Sequence, residues 1–214
     1  MIARSLVAVT TLALLATTAC SRRGEIDASG GITAVRTVCP SVAVPAQAGD
    51  ITTFTSATDR SADAIDINAI ITNVRSTCND AADPIVTQIT FDVLARRTDT
   101  GAAREVVLPY FTTVLQGGTV VVAKRIGQVA LRFEAGQART RATATGTTYV
   151  TRAAATLPAD IRDQITRKRK AGQEDAAIDP LADPAVRTAV AKATFEALVG
   201  FQLTDDQLKY NVTR

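Results

Sequence analysis

The sequence predicts a mainly β fold: an antiparallel, immunoglobulin-like sandwich with a helical insertion before the last strand and a short C-terminal helix. Three observations carry this. Apolar and polar residues alternate with a period of two through the middle of the chain, as half-buried strands require. Candidate strands recur about every 10 residues with turn residues between them. Of the 214 residues, 46% are hydrophobic and only 4% aromatic, so a core is available and must rest on Val, Ile, Leu, Ala and a few Phe.

Eight strands are expected, around Ile51, Ile65, Ile85, Arg104, Thr119, Gln128, Ala138 and Phe195. In Ile65–Ile71, the residues Ile65, Ile67, Ala69 and Ile71 share one face. In Ile85–Val93, Ile85, Thr87, Ile89, Phe91 and Val93 do the same. Cys78-Asn79-Asp80-Ala81-Ala82-Asp83-Pro84 is the turn between these two. Thr98–Gly101 is the next turn. Arg104–Leu115 follows, with Pro109 marking an edge position or a bulge because proline cannot donate to a ladder. Gly117-Gly118 forms a hairpin to Thr119–Lys124. Gln128–Phe133 and Ala138–Thr151 are further strands, the second with a bulge expected at Gly146.

The pattern changes at Leu157. Pro158 in a first turn, the run Asp160–Lys170 and Gly172 read as a helix. Asp179-Pro180 and Asp183-Pro184 break the chain before a second short helix, Ala185–Lys192. Thr194–Gln202 is expected as a strand, since five apolar residues alternate there and Gly200 disfavours a helix interior. Thr204-Asp205-Asp206-Gln207 has the form of a capping box, so a terminal helix should run to Tyr210.

The N-terminus carries an address. Met1–Arg4 is a short positive start, and Ser5–Thr18 is an apolar, small-residue run. The run is too short to span a bilayer, which takes about 20 residues. It fits the apolar region of a secretory signal. It ends in Thr17-Thr18-Ala19-Cys20, which resembles the lipobox of bacterial lipoproteins, with Thr17 where that pattern more often has Leu. The resemblance implies cleavage before Cys20 and diacylglyceryl transfer to its sulfur. An ordinary signal peptide with a chance cysteine is the alternative. Ser21, rather than Asp, after Cys20 points by analogy to the outer membrane. The organisation is then a signal peptide over 1–19, a lipidated Cys and flexible tether over 20–35, and a sandwich domain over 36–214 with its insertion at about 157–192.

Three cysteines are present. If Cys20 carries lipid, Cys39 and Cys78 remain, and an oxidising compartment invites one disulfide between them, of about 3.5–4 kcal/mol by loop entropy. Two free buried thiols are the alternative. Two cysteines without histidine cannot complete a zinc site, and no Cys-x-x-Cys motif exists.

The segments Cys39-Pro-Ser-Val-Ala-Val-Pro, Ile71-Thr-Asn-Val-Arg-Ser-Thr-Cys, Leu108-Pro-Tyr-Phe and Leu198-Val-Gly-Phe-Gln-Leu-Thr resemble a family of alphaproteobacterial lipoproteins over most of 36–212. That resemblance implies localisation and architecture and supplies no activity. The basic stretch within 160–192 is longer than the connection usual in that family.

The absence of histidine excludes Ser-His-Asp and Cys-His catalysis and His-ligated metals. No phosphate loop, dinucleotide fingerprint or nucleophile elbow occurs, and no cofactor is implied. A Ser-Lys pair remote in sequence stays open. The acidic groups Asp59/Asp63/Asp66, Asp80/Asp83 and Asp205/Asp206 read as turn and cap residues, and Asp80/Asp83 lacks EF-hand spacing. Arg167-Lys168-Arg169-Lys170 is the strongest charge run. It would meet an anionic surface at about 1 kcal/mol per charge, or be a solvated helix C-terminus. A net charge of +3 and the lack of interleaved aromatics argue against nucleic acid. Leu108–Phe111 and Phe201–Leu203 are core or interface aromatics. Asn211-Val212-Thr213 matches a glycosylation acceptor by chance.

The expectation is a non-enzymatic, lipid-anchored binding or accessory module. It would sit on the periplasmic face of the outer membrane, with an envelope protein as partner recruited by strand addition near Pro109. A spacer touching peptidoglycan or anionic lipid through Arg167–Lys170, and a His-free hydrolase, are the rival readings.

Overall fold

The computed structural model describes residues 37–167, 172 and 178–214. Eight strands form two sheets: β1 Ser41–Ala43, β2 Asp50–Phe54, β3 Ile65–Asn79, β4 Ile85–Arg97, β5 Arg104–Gln116, β6 Val120–Phe133, β7 Arg139–Val150 and β8 Phe195–Phe201. One sheet has the order β1-β8-β5-β6 and the other β2-β3-β4-β7. The sandwich has its own connectivity: β2, β3 and β4 follow one another in one sheet, and β5 and β6 form a hairpin in the other. All pairings are antiparallel except β1 with β8, where Ser41 aligns with Glu196 and Ala43 with Leu198.

The alternation seen in the sequence is the inside–outside alternation of the sheets. Ile67, Ala69 and Ile71 of β3 and Ile89, Phe91 and Val93 of β4 are buried. They meet Leu108, Tyr110, Val129, Leu131, Phe133, Ala197, Val199 and Phe201 of the facing sheet. A smaller cluster of Ile85, Val114, Val150, Ala155 and Phe195 closes one end, with Val38 and Cys78 against it. Cys39 and Cys78 are disulfide-bonded there, with Cα atoms 6.1 Å apart, so the chain enters the body at that end.

Arg97 holds the opposite end. It is 3% exposed and donates Nε to Gln137 O at 2.8 Å, one Nη to Ala102 O at 2.7 Å and the other to Glu134 O at 2.9 Å. Its guanidinium also lies 5.3 Å from the Phe133 ring centroid. One buried cation thereby ties the two turns that follow β4 and β6.

Four expectations about the strands are corrected. The short strand β1 was not anticipated; three residues show no period, and only the neighbouring β8 makes them a strand. Thr119–Lys124 and Gln128–Phe133 are not separate strands but one, β6. It stays continuous because β5 pairs with it from Gln116↔Val120 to Arg104↔Phe133, with one register shift at Val114/Leu115. Gly146 is not a bulge, since β4 and β7 pair without interruption from Ile85↔Val150 to Arg96↔Arg139. The glycine is needed for close approach: a Cβ there would lie 2.2 Å from Thr112 Cγ2 of the other sheet. In this sheet the register shifts instead in β3, between Thr72 and Arg75 with Asn73 at φ 51°, and in β2 between Thr53 and Phe54. Pro109 lies in a central strand, between β8 and β6, rather than at an edge. It is tolerated because it lies at the end of the β8 ladder, where Gln202 N still donates to Pro109 O and only the return bond to Gln202 is forgone.

The helices are α1 Arg152–Ala155, α2 Ala159–Thr166, α3 Pro184–Lys192 and α4 Asp205–Thr213. The insertion lies between β7 and β8 as expected, but the helix expected over Asp160–Lys170 ends at Thr166, where Arg167 turns to φ −59°, ψ 122°. Asp183 caps α3 through Ala185 N, and Thr204 and Gln207 form the capping box of α4. Helix α4 continues past Tyr210, whose ring meets Phe54 edge-on at 5.1 Å. Asn211 Nδ2 donates to both Gln47 O and Asp50 O, which holds the extra turn on the sheet.

Candidate functional site: the free edge of β6

Of the residues singled out in the sequence, Cys39 and Cys78 are joined. Cys20 lies outside the described residues, as do Lys168, Arg169 and Lys170. Arg167 is the C-cap of α2. The acidic groups do not converge. Asp59 accepts from Ser61 N, which holds its carboxyl below the usual range. Asp66 takes both Nη atoms of Arg104 at 2.7 Å. Asp83 accepts from Arg152 N at the start of α1. Asp205 and Asp206 fill the first turn of α4, where negative charge is favoured.

The Pro109 neighbourhood leads to a different edge. Gln202 N donates to Pro109 O at 2.9 Å, so the backbone polar groups of Pro109 face β8. Its partner across the β5–β6 ladder is Gln128. In an antiparallel pair these two form a non-hydrogen-bonded position, so the N–H and C=O of Gln128 face away from β5. The register is unbroken from Lys124 to Phe133, which puts the backbone groups of Ile126 and Lys124 outward as well. The same alternation turns Arg132 O outward, and it accepts Thr140 Oγ1 of β7 at 2.6 Å. Towards the N-terminal end of β6 the described residues offer no such partner. Among the described residues, nothing hydrogen-bonds the outward groups of Lys124 or Ile126.

One side chain bridges the sheets where β6 and β7 part. Tyr110 Oη donates to Thr145 O at 2.7 Å, and burial pushes its phenol pKa up. A Cβ on Gly127 would lie 2.4 Å from the Tyr110 ring, so this crossing requires a glycine. Beyond it, β6 presents Val120, Val121, Val122 and Ile126 at 56, 60, 49 and 56% exposure. Its cations are positioned by rings: Lys124 Nζ lies 5.0 Å from the Phe111 centroid and the Arg125 guanidinium 5.1 Å from that of Tyr149. An exposed apolar edge with unpaired backbone is a template for another strand, and flanking cations limit self-association.

The sequence expectation placed strand addition near Pro109, whereas the exposed sheet edge lies one strand away, on β6. The usable signal was the loss of alternation in Val120–Ile126, where every residue is exposed. No family model, no curated protein and no solved structure matches the chain.

Proposed function

We propose that this chain is a lipid-anchored, non-enzymatic binding module of the bacterial envelope that takes up an extended acidic segment of another envelope protein by strand addition to β6. The free edge at Lys124 and Ile126 carries the reading. Each of these residues offers one donor and one acceptor, and a net hydrogen bond contributes about 0.5–1.5 kcal/mol. Main-chain pairing alone therefore gives weak binding, and side chains must supply the rest. Val122 and Ile126 supply apolar contact. Lys124 and Arg125 select carboxylates.

A second copy is a poor occupant. Antiparallel pairing of β6 with itself would bring two Lys124 and two Arg125 together, and like charges across a pair are destabilising.

The test has two arms. The full-length chain should sediment with membranes, and Cys20→Ser should release it; sedimentation unchanged by the substitution would remove the anchor. A labelled peptide, Ac-Glu-Val-Asp-Val-Glu-Val-NH2, should bind, and Ile126→Pro should weaken binding at least about tenfold. Proline there removes an outward donor and no ladder bond. Unchanged binding by Ile126→Pro would refute the edge.

A further inference from the structure

The outer face of the second sheet has an unbalanced charge. Strands β2, β3, β4 and β7 carry three carboxylates, Asp50, Asp66 and Asp92, and all are engaged. Asp50 is paired with Arg214 and Asp66 with Arg104. Asp92 accepts from Asn73 Nδ2 at 2.6 Å and Thr143 Oγ1 at 2.7 Å, with Arg141 Nε at 3.8 Å. Arg96 and Arg139 are left with no ion pair among the described residues. They stand directly opposite each other across the β4–β7 ladder. Like charges at that position destabilise a sheet. Arg141 follows on the same face, opposite Leu94.

These guanidiniums rim a groove of about 570 Å³ whose floor includes Ile70 and Leu94, which are 48 and 43% exposed. Ile70 and Leu94 are themselves register partners, so the apolar pair lies one row from the Arg96–Arg139 pair. We propose that this face is a docking site for a partner-protein segment in which carboxylates alternate with apolar side chains. The carboxylates would take the planar forks of Arg96 and Arg139, which suit bidentate pairing, and an apolar side chain would cover Ile70 and Leu94. Arg96 lies nine residues along β4 from Thr87, the partner of Cys78, or about 30 Å. A row of two guanidiniums beside a row holding the apolar Ile70–Leu94 pair matches the alternating side chains of an extended protein segment. The face is separate from the β6 edge and stands or falls without it.

The probe is fluorescein-labelled Gly-Glu-Leu-Glu-Leu-Glu-Gly-NH2, titrated by anisotropy against the full-length chain at low salt. Binding should weaken at least about tenfold in Arg96→Gln/Arg139→Gln, and equally when the peptide carries Gln for Glu. Ile126→Pro should leave it unchanged. The double variant should melt no lower than the parent, because it removes a like-charge pair. Equal binding by parent and double variant, or loss of binding in Ile126→Pro, would overturn the proposal. So would a double variant that melts below the parent. Phosphatidylglycerol vesicles that bind through these arginines when the peptide does not bind would overturn it in favour of a membrane.

Discussion

Replacing Arg97 probes the sandwich where a single side chain replaces a whole layer of packing. Its three bonds run to backbone carbonyls of Ala102, Glu134 and Gln137, and no carboxylate among the described residues balances the charge. Hydrogen bonds from a charged group contribute about 1.5–3 kcal/mol each. Against this stands the cost of burying an unpaired guanidinium, several kcal/mol in itself. The difference leaves a loss of about 2–4 kcal/mol for Arg97→Met, which keeps the stem over Phe133 and removes the fork. Arg97→Lys should be at least as harmful. It retains the buried charge, but an ammonium cannot reach three acceptors laid out in a guanidinium plane. Urea unfolding followed by circular dichroism reads the effect. With a slope near 2 kcal/mol/M, the midpoint should fall by about 1–2 M in both variants, with the slope unchanged. A lysine variant close to the parent would refute the reasoning, because it would mean that charge rather than the fork holds the turns.

Cys39→Ser/Cys78→Ser should lose about 3.5–4 kcal/mol, since the bridge spans a sequence separation of 39; equal melting of the parent with and without reductant would contradict this. Gly146→Ala should cost about 1–3 kcal/mol by overpacking against Thr112 Cγ2, and Thr112→Ser in that background should recover most of it in calorimetry. Asp92 has a pKa lowered by its bonds to Asn73 and Thr143 and by the field of Arg141 and Arg75. A group whose pKa is depressed by folding stabilises above its unfolded value and loses that contribution as pH falls through the folded one. The acid limb of the stability curve, below pH about 4, should therefore flatten in Asp92→Asn, and a curve as steep as the parent's would count against the role given to this carboxylate.

The sheets were readable where one face of a strand is buried. Ile85, Thr87, Ile89, Phe91 and Val93 alternate in the sequence and all are buried. The cysteine pairing followed from counting thiols on the expectation of an oxidising compartment. What could not be read was whatever depends on the second sheet. β6 was divided because Val120–Ile126 has no buried face to impose a period, and its continuity comes from β5. Gly146, expected as a bulge, makes room for Thr112, and Gly127 makes room for Tyr110, each a residue of β5 that the sequence does not bring near it. Arg97 ends a strand as an ordinary charge, and its burial depends on turns up to 40 residues away. The opposition of Arg96 and Arg139 likewise exists only in the β4–β7 register. Both candidate surfaces were thus hidden by long-range pairing, although their residue types were in plain view.

Amide hydrogen exchange resolved along β6, with and without Ac-Glu-Val-Asp-Val-Glu-Val-NH2, bears most closely on the proposed mode of action. In the free chain, the amides of Lys124 and Ile126 should exchange fast, while those of Ala123 and Arg125, turned towards β5, are protected. Added peptide should protect Lys124 and Ile126 and leave Ala123 and Arg125 as they were. Slow exchange at Lys124 and Ile126 before any peptide is added, or no gain on adding it, would contradict the account.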